Sequence, residues 1–179
     1  INSYIRINEI LKPLNNKTCI LPGNHDNESN LAKIFDNSLL SNFQLNDWEI
    51  MSIDSVQNEK VSGYLSDQKL QTLVNEIKQS RAKYMVLCLH HPVVSMQSSW
   101  NDDLSLENSE DLFGAISQFP RVRAIIWGHA HQSSEFKFGN IKLFSCPSTA
   151  VQFCGPSGIG YNHYTLHDNG EINCKTRWL

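Results

Sequence analysis

Residues 84–92 read YMVLCLHHP, an unbroken apolar run that closes on His90, His91 and Pro92. A run of this length without polar alternation reads as a strand buried on both faces. Two other stretches repeat the design. Residues 122–131 read VRAIIWGHAH, and residues 17–26 read KTCILPGNHD. Each apolar run stops at a turn or loop residue and is followed at once by imidazole, amide or carboxylate groups. His25, His90, His91, His129 and His131, five of the seven histidines, therefore sit just beyond the ends of expected strands. In α/β sheets ligands collect at the carboxyl ends of strands, where loops aim side chains at one point. The three stretches together predict an α/β chain with one polar cluster at a sheet edge.

The remaining segments fill in the layers. Apolar positions at Ile7, Ile10, Leu11 and Leu14 predict a helix from Tyr4, with Pro13 ending its regular part at or before Lys12. FQL and WEIMSID, around Asn46 and Asp47, read as a hairpin within residues 42–54. Ser66 is placed to cap a helix carrying Leu70, Leu73, Val74 and Ile77. Residues 95–109 are polar and irregular, with Trp100 in their middle. Leu112 to Phe119 reads as helical. After Gly128 the pattern changes to short alternating strands at 133–138, 141–145, 163–167 and 171–176. Turns at Gly139-Asn140 and Asn169-Gly170 join them. No internal repeat or linker interrupts the 179 residues.

Composition narrows the function classes. Hydrophobic residues make up 40% and charged residues 18%, an ordinary globular balance. A formal net charge of −3 argues against a protein whose main work is tracking nucleic-acid phosphates. No apolar run is long enough to span a membrane, and the opening INSYIRINEI lacks the pattern of a secretory signal. Cys19, Cys88, Cys146, Cys154 and Cys174 are odd in number and contain no CxxC pair. Reduced, buried thiols in a cytoplasmic protein are the expectation.

The cluster chemistry points to a metal. Imidazole, amide oxygen and carboxylate without thiolate favour Fe, Mn, Zn or Co over a cysteine-type structural zinc. His129 and His131 would point the same way on a strand, or straddle two ions in a turn. Gly23 and Gly128 are expected to let the backbone turn sharply beside the ligands.

GNHD, HHP after an apolar strand, and GHAH, in that order, resemble the calcineurin-like metallophosphoesterases. LPGNHD, LHHPVV, SSWNDDLSLEN, WGHAHQ and CPSTAVQF are similar to stretches of the bacterial class III cyclic AMP phosphodiesterases within that family. The resemblance covers nearly the whole chain. It implies an αββα sandwich, two mixed sheets flanked by helices, and two metal ions. It also implies that Asn24, His90 and His129 bind one metal and His131 the other. His25 would contact the phosphate and assist the leaving oxygen, while a metal-bound hydroxide attacks phosphorus. His91 would lie behind the ligands or face substrate, and Asp26 would orient its neighbours. Trp100 could stack on a purine or cover the core, and Ser148 to Phe153 could line a base pocket or form an ordinary strand.

The sequence departs from the family pattern in one respect. The family's Asp-x-His and Gly-Asp motifs, which supply the bridging carboxylate, are absent. The expectation is that residues 1–179 form the C-terminal two-thirds of a single domain, lacking its first strand–helix–strand unit. Without a bridging carboxylate, one ion or none is expected. The strand at Thr18 to Leu21 would then be an open edge, inviting self-association. Three functions follow as alternatives: hydrolysis of 3',5'-cyclic AMP to 5'-AMP by the intact protein, a broader phosphodiesterase or phosphomonoesterase activity, or a silent module binding one metal.

Overall fold

The computed structural model describes residues 1–14, 18–153 and 158–179. Its centre is a six-stranded mixed sheet. Strands β2 (Trp48–Ser52), β3 (Tyr84–Leu89), β4 (Val122–Trp127) and β6 (Ile141–Ser145) run parallel, in that spatial order. Antiparallel β1 (Phe43–Leu45) and β5 (Ser134–Phe138) form the two edges. A separate hairpin, β7 (Gly160–Leu166) and β8 (Ile172–Trp178), makes the second sheet.

The apolar runs explain the layering. Leu87, Ile125 and Leu143 are fully buried on one face of the large sheet. They pack with Leu73 and Ile77 of α3 (Asp67–Gln79) and with Leu112 and Ile116 of α5 (Ser109–Ile116). Each such side chain contributes about 1.5–3 kcal/mol by leaving water. Val86, Ala124 and Phe144 point to the opposite face and meet Ile172 of the hairpin. Polar ties seat that hairpin: Trp48 Nε1 donates to His167 O at 3.0 Å, and Arg123 Nε to Gly170 O at 2.9 Å. The result is the α/β chain that the apolar runs predict, with the six-stranded mixed sheet between helices and the hairpin.

Helix α1 (Asn2–Leu11) ends just before Pro13, which sits in a 3-10 turn, Lys12–Leu14. Ser66 caps α3, its hydroxyl accepting from Lys69 N at 3.3 Å. Helices α2 (Glu28–Phe35) and α4 (Ser99–Asp102) were not anticipated. The first is capped by Asn27, whose side chain accepts from Asn30 N at 3.0 Å.

One expected strand is corrected. Lys17 lies outside the described residues, and Thr18 to Leu21 form no strand of either sheet. Only Ile20 pairs, in an isolated bridge to Leu39: Ile20 N donates to Ser38 O at 2.8 Å, and Leu40 N to Ile20 O at 2.9 Å. The apolar run is used to cross beside the sheet, and Cys19 bonds Ser52 at 2.7 Å instead of entering the ladder. The edges of the large sheet are β1 and β5.

Candidate metal centre

Parallel register builds the site. Leu89 is the partner of Trp127, and Trp127 of Ser145, so three strands end level with one another. The chain leaves β3 into His90, β4 into Gly128, and β6 into the segment reaching Phe153. Gly128 N donates to His90 O at 3.1 Å, which carries the strand pairing one step into the loops. The Gly23 to Asp26 turn approaches the same edge.

Asn24, His90 and His129 converge there. His90 Nε2 lies 2.9 Å from Asn24 Oδ1 and 3.2 Å from His129 Nδ1. His129 Nδ1 lies 3.2 Å from the same Asn24 oxygen. An octahedral ion with ligands at about 2.1 Å has neighbouring ligands about 3.0 Å apart. The triangle thus has the edges of one octahedral face, and three residues far apart in sequence supply it. Asn24 Nδ2 and His129 Nε2 are buried without a partner, so the cluster carries polar capacity that the protein itself leaves unused. Among the described residues, the cluster of imidazoles at this point contains no carboxylate or thiolate.

Electrostatics suits the same use. Burial pushes His90 down to about 3, helped by His91, His129 and His131 nearby. Burial, followed by His91 and His131, pushes His129 down to about 4. Both rings are therefore neutral near pH 7, and a neutral imidazole has a lone pair to give.

His91 stands behind this pair. It is fully buried. Its Nε2 donates to Val61 O at 3.0 Å, and Ser55 Oγ lies 2.8 Å from its Nδ1. Both ring nitrogens are engaged, so His91 has no atom to offer substrate, and it packs edge-on against His90. Burial lowers its pKa as well.

His129 and His131 lie in a turn, not on a strand, with φ of 60° and 49°. Left-handed backbone at two non-glycine residues costs on the order of 1–3 kcal/mol each and is concentrated at functional sites. The turn sends the two rings in different directions. His131 leaves the triangle and stacks on Phe153 at 4.2 Å with planes 5° apart. Its Nδ1 is buried without a partner. Phe153 in turn meets Trp100 edge-on at 5.1 Å. Trp100 is 54% and Phe153 50% exposed.

The backbone turns at Gly23, where Asp26 N donates to Gly23 O at 3.0 Å. Neither Gly23 nor Gly128 has a left-handed φ. Gly23 is needed for space: a Cβ there would fall 2.8 Å from His90 Cε1.

His25 is exposed at the tip of the turn, close enough for its charge to act on His90 and His129. Asp26 closes the turn, its Oδ2 accepting from Gly23 N at 2.8 Å. Tyr4 and Ser55 are the neighbours the sequence analysis did not single out for the site, whereas Phe153 belongs to the stretch expected to line a base pocket or form an ordinary strand and lies in a loop. Cys19, Cys88, Cys146 and Cys174 are free, and burial pushes Cys88 up to about 12. Cys154 lies outside the described residues. No helix among the described residues is long and apolar enough to cross a membrane.

Comparison with known proteins gives the family and the fold. The model of the calcineurin-like phosphoesterase family matches residues 2–133. A "probable cyclic nucleotide phosphodiesterase" of Ruthia magnifica is 47% identical over 179 residues, covering all of this chain and 76% of the relative. The "3',5'-cyclic adenosine monophosphate phosphodiesterase CpdA" of Pseudomonas aeruginosa is 31% identical, over 96% of this chain and 67% of its own length. Among solved structures, a dimetal phosphatase from Danio rerio shares the fold with a TM-score of 0.59 at 14% identity, covering 72% of this chain and 60% of that one. Divalent metal ions are what this family implies, and the Asn24–His90–His129 triangle fits one. The chain belongs to the calcineurin-like phosphoesterase family of enzymes.

Proposed function

We propose that this protein hydrolyses a 3',5'-cyclic nucleotide, cyclic AMP, to the 5'-monophosphate. The observation that carries the reading is the Asn24–His90–His129 triangle, three neutral donors about 3 Å apart at the strand ends. The names of the Ruthia and Pseudomonas relatives support the substrate class.

The roles divide by position. Asn24 Oδ1, His90 Nε2 and His129 Nδ1 hold one divalent ion. His131 is the contribution of this chain to a second. When bound, such ions neutralise phosphate charge and acidify water, the two obstacles to diester hydrolysis at neutral pH. His25, exposed on the turn, donates a proton to the departing ribose 3'-oxygen. Asp26 holds that turn shut. His91 and Ser55 brace His90 from behind, which fixes ligand orientation. Trp100 and Phe153 form an exposed aromatic wall running out from His131. A flat nucleobase suits such a wall, because base stacking needs only a π-face.

The cluster also favours a narrower statement about this chain. Among the described residues no carboxylate is gathered with these imidazoles to screen two divalent ions held close together. The described residues complete one ion site.

Hydrolysis in Mn²⁺ of cyclic AMP beside bis(p-nitrophenyl) phosphate tests the reading. A clear preference for cyclic AMP is expected. Comparable efficiency on both would overturn the cyclic-nucleotide assignment in favour of a general diesterase. Turnover of neither would reduce this chain to a single-ion module.

A further inference from the structure

Asn24 and His25 occupy a turn whose closure is shared by two residues and one distant side chain. Asp26 N donates to Gly23 O at 3.0 Å, and Gly23 N donates to Asp26 Oδ2 at 2.8 Å. The other carboxylate oxygen, Oδ1, accepts from the Tyr4 hydroxyl at 3.0 Å. The same hydroxyl accepts from Asn27 N at 2.9 Å. Its proton and a lone pair are both committed, so it has one orientation.

Tyr4 is itself fixed. It stands on α1 and meets the ring of Phe35, which is buried in α2, edge-on at 6.4 Å. No residue of α1 is buried, so packing alone does not account for where this helix lies. The tyrosine hydroxyl reaches across to the turn, and Asn27, which it touches, goes on to cap α2.

We propose that Tyr4 is a positioning residue for the metal centre, acting through Asp26. The proposal rests on the functional reading above, in which Asn24 is a ligand and His25 the proton donor. The Tyr4 hydroxyl selects one carboxylate orientation, and that orientation holds Gly23 N–H and hence the carbonyl-and-amide frame from which Asn24 projects. Groups that orient ligands from behind typically govern metal affinity by about 10–100-fold. Tyr4 is one bond further out, and the lower end of that range, about tenfold, is expected.

The test is a double-mutant cycle on the full chain with Tyr4→Phe, Asp26→Ala and their combination. Tyr4→Phe keeps the ring against Phe35 and removes only the oxygen. Two readouts are taken. The first is Mn²⁺ affinity, from the electron paramagnetic resonance signal of free ion during titration. The second is amide hydrogen exchange at Gly23, compared with amides of α1 and β3. The expected result is a roughly tenfold weaker Mn²⁺ affinity in Tyr4→Phe, with little further loss when the change is added to Asp26→Ala. Gly23 exchange should accelerate while β3 is unchanged. A tyrosine that merely fastens α1 would speed exchange in α1 and leave both Gly23 and Mn²⁺ affinity as in the parent, and that result overturns the proposal. Additive losses overturn it as well, since Tyr4 would not then act through Asp26. If the parent chain takes up no Mn²⁺, the metal reading fails separately, and unchanged Gly23 exchange would still refute the role of Tyr4.

Discussion

Gly23→Ala perturbs the centre with one carbon. The added Cβ would sit 2.8 Å from His90 Cε1, 3.1 Å from Nε2 and 3.2 Å from Nδ1. Carbon atoms rest about 3.5–4.0 Å apart, so the ring must retreat by roughly 0.7 Å or more. It has no room to do so in place. Its Nε2 is 2.9 Å from Asn24 Oδ1, and its other sides face His91 and His129 at ring-centroid distances of 4.9 and 5.1 Å. Metal–ligand distances are good only within about 0.2 Å of ideal, so the displacement exceeds what a ligand set can absorb. Overpacking of this kind costs about 1–3 kcal/mol, against which a less flexible unfolded chain returns about 0.4–1 kcal/mol. The expected net loss is about 1–2 kcal/mol of stability, with Mn²⁺ affinity reduced about 10–100-fold. Urea unfolding gives the first quantity and Mn²⁺ titration the second. Gly114→Ala is the control: it lies in α5 with nothing within 4 Å of the new carbon. It should gain about 0.5–1 kcal/mol and leave Mn²⁺ binding alone. A Gly23→Ala protein that binds Mn²⁺ as tightly as the parent would refute the placement of His90 in the ligand set.

Three further outcomes are expected. In the metal-free protein His90 and His129 stay neutral to about 3 and 4, whereas an unfolded histidine titrates near 6.5. The unfolded chain therefore binds more protons in that window; stability is complete above pH 6.5 and falls as pH falls below it, by about 1.4 kcal/mol per pH unit for His90 and less for the more open His129. Urea midpoints that match at pH 7.5 and pH 5 would contradict this. Trp100→Ala should raise KM for cyclic AMP by about 5–100-fold while sparing bis(p-nitrophenyl) phosphate, and equal effects on both would remove Trp100 from base recognition. His25→Ala should lower turnover at unchanged metal content; loss of metal in that variant would make His25 a ligand.

The strand ends were legible because they depend on local pattern. Tyr84–Leu89 is apolar without interruption and Val122–Trp127 is broken only by Arg123, and such runs report burial on both faces. The run at Thr18 to Leu21 looks the same but only Ile20 makes a bridge. Apolarity records burial and not pairing, which depends on what lies alongside. The His-x-His spacing likewise left strand and turn open, and φ values of 60° and 49° decide for the turn. Tyr4 and Ser55 escaped notice for a different reason. Tyr4 contacts Asp26 across 22 residues, and Ser55 contacts His91 across 36. Neither belongs to a motif, and only tertiary structure brings them to the site. Phe153 was noticed only as part of a stretch that could line a base pocket or form a strand; it lies in a loop, and the level ends of β4 and β6 bring it onto His131.

Metal stoichiometry per chain tests the central claim most directly. The parent protein, His129→Ala and His90→Ala would each be equilibrated with excess Mn²⁺, freed of unbound ion and assayed for metal. The account predicts one ion in the parent and its loss in both variants. No ion in the parent, or retention in either variant, would contradict the Asn24–His90–His129 site. Two ions in the parent would contradict the claim that this chain completes only one.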